Sequence, residues 1–253
     1  MKIYINKLHI KPEFIISHRG SSGISPENTI FSFQKAFNQG SKSIEFDIRL
    51  TKDDKIVIFH DEDLLRITNK TGKVSESTLE NLKKLDVGSW YDEKYSFEKI
   101  PTLVEVIEFF DLHNIFLNIE IKTEKGNDLK FAKILYSTLK EYLYRDNLIP
   151  WISSSSKEVL LSMKYNCPLI PVGLVKGFIS DYEIESTLKE FQFISLDVNY
   201  LTKYKVSKIK DKGLLVFVYT VNNYSLAKKL YDWGVDSVFS NFPDLIVNKK
   251  KYK

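Results

Sequence analysis

The residue types best suited to chemistry fall in four short clusters: Ser17-His18-Arg19-Gly20, Glu45-Phe46-Asp47, His60-Asp61 and Glu120-Ile121-Lys122. Glu45 and Asp47 are two apart in a run of strand-forming residues, so their side chains share one face. Two carboxylates on the inward face of an apolar strand repel each other and are costly to bury unless a cation lies between them. Glu120, near the end of another apolar run, supplies a third. Three oxygen ligands with no histidine or cysteine beside them suit one hard divalent cation, Mg²⁺ or Ca²⁺, rather than zinc. The competing reading is structural: Lys122 and Arg49 neutralise the same acids as a buried salt-bridge network.

His18 and His60 are two of the four histidines, and each closes an apolar run. A lone histidine there is more often a satisfied core residue. Two converging on carboxylates are the usual equipment of general acid and base catalysis near neutral pH. His9 and His113 lie in polar connections and are assigned no role. Four arginines (positions 19, 49, 66 and 145) stand against 33 lysines, so an arginine at a chemically useful position is there for its fork geometry. Arg19 and Lys122 lie on opposite sides of the acids. Together with a cation they would form an electropositive pocket that binds a phosphodiester and stabilises charge developing on its oxygens. For Arg19 the structural alternative is an ion pair to Asp61.

Positioning these clusters falls to a repeated pattern of short β-branched and aromatic runs, each followed by a stretch of helical spacing. The expected strands are 14–17, 43–50, 115–121, 149–153, 169–175, 193–198, 214–221 and 237–240. Eight βα units close most naturally into a TIM (β/α)8 barrel, whose active site lies at the C-terminal strand ends. The run Ile56-Val57-Ile58-Phe59 follows the second strand too closely to allow a crossover helix, so it is read as the antiparallel return of a hairpin. A turn centred on Asp53 and Asp54 would set His60 opposite Asp47. Asn28 or Thr29 is read as the N-cap of a first helix, and Thr102/Glu105 and Ser77/Glu80 as capping boxes. Residues 62–101 carry weak helical patterns and an aromatic patch (Trp90, Tyr91, Tyr95, Phe97), and are read as a small insertion over the barrel mouth. No linker marks a second unit, so residues 1–253 are expected to be a single barrel domain.

The net charge of +4 is mild and spread along the chain, which excludes the usual nucleic-acid footprint. A single Cys167 excludes an internal disulfide framework and reads as a buried, inert thiol. The segment MKIYINKLHIKPEF lacks the apolar core and cleavage site of a secretory leader, and no apolar run approaches spanning length. A soluble, cytoplasmic protein without stable membrane insertion is expected. The tail Lys249-Lys250-Lys251-Tyr252-Lys253 is read as a solvated terminus. Oligomeric state is left open.

The ordered series Ser17-His18-Arg19-Gly20, Pro26-Glu27-Asn28-Thr29, Ile44-Glu45-Phe46-Asp47, Phe59-His60-Asp61, Ile100-Pro101-Thr102-Leu103, Ile119-Glu120-Ile121-Lys122, Tyr219-Thr220-Val221-Asn222 and Ser240-Asn241-Phe242-Pro243-Asp244 resembles the motifs of the glycerophosphodiester phosphodiesterases, from about residue 14 to 247. That resemblance implies a barrel hydrolase of glycerol and lipid metabolism, related to phosphatidylinositol-specific phospholipases C. Its small-molecule glycerophosphodiester substrate would be cut to sn-glycerol 3-phosphate and an alcohol. It further implies that His18 and His60 are the acid-base pair, that Glu45, Asp47 and Glu120 hold the metal, and that Arg19 and Lys122 contact phosphate. Gly20 is read as letting the backbone turn closely past the ligand. Three details depart from the family pattern. Tyr219 stands where tryptophan is frequent, Ser155 follows the paired serines where an aromatic is usual, and Ser240-Asn241 replaces a common Thr-Asp, a change expected to be structural. Two other readings are a lysophospholipid-cleaving, phospholipase D-like enzyme on the same barrel, using the aromatic patch at 90–97 as an apolar groove, and a non-catalytic binding protein.

Overall fold

In a computed structural model, residues 12–111, 113–143, 148–186 and 188–244 are described. His9, Arg145, most of the N-terminal segment, the basic tail and the last residues of the family resemblance lie outside them. Nine strands occur among the described residues: β1 (Ile15–His18), β2 (Ser43–Leu50), β3 (Ile56–Ile58), β4 (Ile115–Ile121), β5 (Leu148–Ser154), β6 (Val172–Lys176), β7 (Phe193–Asp197), β8 (Leu215–Tyr219) and β9 (Ser237–Ser240). All but β3 run parallel in the order β1-β9-β8-β7-β6-β5-β4-β2, and pairing of β1 with β2 closes the ring. This is the expected TIM barrel with one additional strand.

The strands are apolar on both faces because both faces are covered. Outside the ring, strand residues such as Ile44 and Phe46 meet Phe33, Phe110 and Phe131 of the surrounding helices in the main core. Inside it, Ile16, Phe116, Trp151, Phe193, Phe217 and Phe239 form a separate cluster that fills the barrel floor. Gly173 makes that filling possible, since a Cβ there would stand 2.3 Å from the Phe193 ring. β6 starts later than the apolar pattern suggests because residues 167–170 are spent on a turn, closed by the Ile170 amide donating to the Cys167 carbonyl at 3.1 Å.

β2 outlasts β1, which pairs with it only at Ile44 and Glu45; the edge left free beyond is taken by β3, antiparallel, with Ile48 opposite Ile58 and Leu50 opposite Ile56. The hairpin register differs by one from the expectation. Thr51 and Lys55 face each other, with the Thr51 amide donating to the Lys55 carbonyl at 2.9 Å, so three residues form the loop and Asp53 alone is its centre. Asp54 takes the left-handed conformation (φ 61°) that three-residue hairpin loops use. Phe59, not His60, therefore lies opposite Asp47, its amide donating to the Asp47 carbonyl at 3.0 Å.

Thr29 caps the helix Ile30–Asn38 and Thr102/Glu105 form the expected capping box of Leu103–Phe110. Thr78 rather than Ser77 caps Leu79–Lys83; the Ser77 hydroxyl instead donates to the Lys73 carbonyl. Residues 62–101 contain two short helices, Leu65–Thr68 and Leu79–Lys83, and build a small second core from Phe59, Leu64, Ile67, Val74, Leu82 and Ile100. The aromatic patch expected there as a groove faces largely inward: Tyr95 is buried against Phe31, the Tyr91 hydroxyl donates to the Gly23 carbonyl, and only Phe97 is exposed. Among the described residues, no helix is long and apolar enough to cross a membrane.

Candidate active site

β1 ends at His18, and the chain turns sharply there. Arg19 adopts a left-handed φ of 55° and Gly20 one of 81°, which brings the backbone against the first helix. A Cβ on Gly20 would lie 2.7 Å from the Ser32 backbone. The glycine thus serves the contact with that helix. The Arg19 carbonyl accepts from the Asn28 amide (3.1 Å) and the Ser32 hydroxyl (3.0 Å), while its amide donates to Glu45 Oε2 at 3.0 Å. Its guanidinium reaches Glu27 (2.8 Å) and Asp47 (3.1 Å), not Asp61.

Glu45, Asp47 and Glu120 converge as the two-residue spacing and the Asp47–Glu120 register require. Each can offer a carboxylate oxygen within 4.8 Å of the other two. Glu45 and Asp47 are almost fully buried, and neither Glu45 Oε1 nor Asp47 Oδ1 accepts a hydrogen bond. An unsatisfied buried carboxylate oxygen is costly; Glu45 Oε1 has no partner, Asp47 Oδ1 has only the Lys122 ammonium, and with Glu120 the group could hold a cation. Burial, then the charges of Asp47 and Glu120, push the Glu45 carboxyl well above the usual range. Burial acts on Asp47 in the same sense, but Arg19 and Lys122 outweigh it and hold Asp47 well below that range. Lys122 pairs with Asp47 at 3.2 Å and with Glu120. Arg49 takes no part in this network; its Nε donates to the His60 carbonyl at 2.8 Å.

His18 Nδ1 lies 2.6 Å from Asn241 Oδ1. An amide oxygen can only accept, so Nδ1 carries the hydrogen and Nε2 keeps its lone pair, 3.9 Å from Glu45 Oε2. Burial and the positive charge of Arg19 lower the His18 pKa from 6.5 to about 4, so the ring is neutral near pH 7. Asn241, expected to be a structural departure, therefore touches a candidate acid-base group directly. His60 arrives on the exit of the hairpin, and its Nδ1 lies 2.6 Å from Asp61 Oδ1. Arg66 then holds Asp61 through Nε (2.5 Å) and Nη2 (3.1 Å).

His18, Arg19, Glu45, His60, Glu120 and Lys122 line one cavity of about 280 Å³ at the C-terminal ends of the strands, and Asp47 lies beneath them, bonded to Lys122 and Asn28. The opposite wall consists of Ser153, Val175, Ser195, Tyr219, Thr220 and Phe239. Sequence reasoning assigned no role to Glu27, Asn28, Asn241 or Arg66. Glu27 and Asn28 were in view within a quoted motif, and Arg66 as one of few arginines, but their partners come from loops that no periodicity reports.

Over residues 18–245 the chain matches the glycerophosphoryl diester phosphodiesterase family. A glycerophosphodiester phosphodiesterase of Bacillus subtilis is 36% identical over 252 residues, covering 93% of this chain and 86% of that protein. Another, from Caldanaerobacter subterraneus, is 33% identical over 236 residues, covering 92% and 96%. Among solved structures, an Oleispira antarctica phosphodiesterase in complex with the product sn-glycerol-3-phosphate superposes with a TM-score of 0.89 at 36% identity, covering 94% of this chain and 96% of that one.

Proposed function

This chain belongs to the glycerophosphoryl diester phosphodiesterase family, and from that premise we propose that it hydrolyses glycerophosphodiesters to sn-glycerol 3-phosphate and an alcohol, using one divalent cation and the pair His18/His60. The observation that carries the reading is the meeting of both imidazoles, three carboxylates, Arg19 and Lys122 at one cavity floor. We read the chain as one barrel domain in which 62–101 is an insertion.

The donor set fits a hard cation: all oxygen, largely buried, with Glu45 Oε1 lacking any hydrogen-bond donor. Glu45, Asp47 and Glu120 would hold it, and when bound it would supply Lewis-acid polarisation of a phosphate oxygen and acidify a nearby hydroxyl. Arg19 and Lys122 orient the phosphodiester and offset charge on its equatorial oxygens. His18, neutral and with Nε2 free, accepts the proton of the glycerol 2-hydroxyl as its oxygen bonds to phosphorus and the alcohol leaves, and water then opens the cyclic phosphate to glycerol 3-phosphate. His60, whose Nδ1 is held by the Asp61 carboxylate at 2.6 Å, gives its Nε2 proton to the departing alcohol. The product held by the Oleispira antarctica phosphodiesterase, sn-glycerol-3-phosphate, supports a glycerol 3-phosphate end for this pocket.

A coupled assay for glycerol 3-phosphate release tests the reading, with glycerophosphocholine, glycerophosphoethanolamine and glycerophosphoglycerol as substrates. Activity should vanish in a strong chelator and return with Mg²⁺ or Ca²⁺. Full turnover in chelator would remove the cation from the mechanism.

A further inference from the structure

Resting on the proton-donor reading of His60, we propose that Arg66 and Glu27 form a clamp that positions the His60 imidazole for departure of the alcohol. Both are positioning residues: neither lines the main cavity. Arg66 binds two carboxylates at once. Its Nε and Nη2 take Asp61 at 2.5 and 3.1 Å, and its Nη1 and Nη2 take Glu27 at 3.0 and 2.8 Å. Asp61 in turn holds His60 Nδ1, and Glu27 also accepts from Arg19 Nη1 at 2.8 Å. A continuous path of charge-assisted bonds, Arg19–Glu27–Arg66–Asp61–His60, thus joins the phosphate-binding arginine on the β1 loop to the histidine on the hairpin.

Two arguments assign this path to function and not to stability. Arg66 is 44% exposed, and ion pairs so open to water contribute little to folding. The residue type is also specific. The lysines of 62–101 with ion pairs each meet one carboxylate, such as Lys73 with Glu62 and Lys84 with Glu80. A planar fork offers each carboxylate two directed N–H bonds, which fixes their relative orientation as a point charge does not. Asp61, held from behind by that fork, cannot swing with the exposed loop, so the imidazole keeps one orientation. His60 then passes its Nε2 proton to the leaving oxygen as the P–O bond breaks, and the ring becomes neutral.

The test is leaving-group dependence. Choline departs poorly without a proton, whereas 4-nitrophenolate needs none. Arg66→Met should lower kcat for glycerophosphocholine by about 10- to 100-fold, the usual cost of losing such a supporting partner. Turnover of the glycerophospho-4-nitrophenol ester should be nearly unchanged. Arg66→Lys should fail to restore choline release, because an ammonium lacks the planar fork that fixes the orientation of Asp61. Equal losses on the two esters, or full activity in Arg66→Lys, would overturn the clamp. His60→Ala separates the two levels of the argument. If it shows the ester difference and Arg66→Met does not, the clamp alone fails; if His60→Ala loses equally on both esters, the donor reading falls and the clamp with it.

Discussion

The two walls of the barrel mouth are built on opposite terms. The wall made by β1, β2, β4 and the hairpin carries every charged residue of the cavity, each tied to a partner: Arg19 to Glu27 and Asp47, Lys122 to Asp47 and Glu120, His60 to Asp61. The wall from β5 to β9 carries hydroxyls and apolar groups above an aromatic floor. Burial there lifts the Tyr219 hydroxyl to about 12, so it meets a ligand as a neutral group. On the same side the outer rim is aromatic and open, with Phe178 53% and Tyr200 57% exposed and Lys205 stacked over Phe178. One wall fixes charge, and the other fixes shape. The family's chemistry is concentrated on the first, and this chain's departures at Tyr219 and the serines after β5 fall on the second.

The sharpest way to break this division is to remove one histidine from the charged wall. His18→Ala should lower kcat by about 10²- to 10⁴-fold with an unchanged melting temperature, as removal of a positioned acid-base group does. Tyr219→Phe, from the other wall, serves as the control; a comparable loss there would erase the distinction. Next in size, Phe217→Ala should destabilise the fold by about 3–5 kcal/mol in denaturant titration, while kcat per folded molecule stays near that of the parent. A large kcat defect in that variant would mean the floor does more than fill space. The smallest effect concerns Asn241→Asp. A carboxylate on Nδ1 favours the protonated ring, so the His18 pKa should rise from about 4 and the acidic limb of kcat/KM should move to higher pH, by roughly one unit. An unmoved limb would show that His18 is not the group titrating there.

Most of the barrel was legible because parallel strands buried on both faces read as short apolar runs. That the seven candidate residues converge was legible for a related reason: charges at the ends of such runs have few structural excuses. What escaped depended on geometry without a period. The hairpin register turned on whether its loop holds an even or odd number of residues, decided by Asp54 accepting a left-handed φ. The inward turn of Trp90 to Tyr95 depended on Phe31 and Gly23, more than sixty residues earlier for each contact. Asn241 was read as a structural change because nothing local connects it to His18, 223 residues away.

That last contact has a consequence for the life of the chain. His18 and Glu45 are close in sequence and leave the ribosome early, but Asn241, the group that fixes the hydrogen on His18, comes last. The Gly23 amide, bonded to the Asn241 carbonyl at 2.9 Å, waits for the same segment, as does the packing of Gly23 against Phe242. Translation must therefore deliver β9 before the His18 ring is held in its tautomer. A nascent or prematurely terminated chain would carry all the acids and both histidines yet remain an unarmed hydrolase, so the appearance of activity reports that the ring has closed.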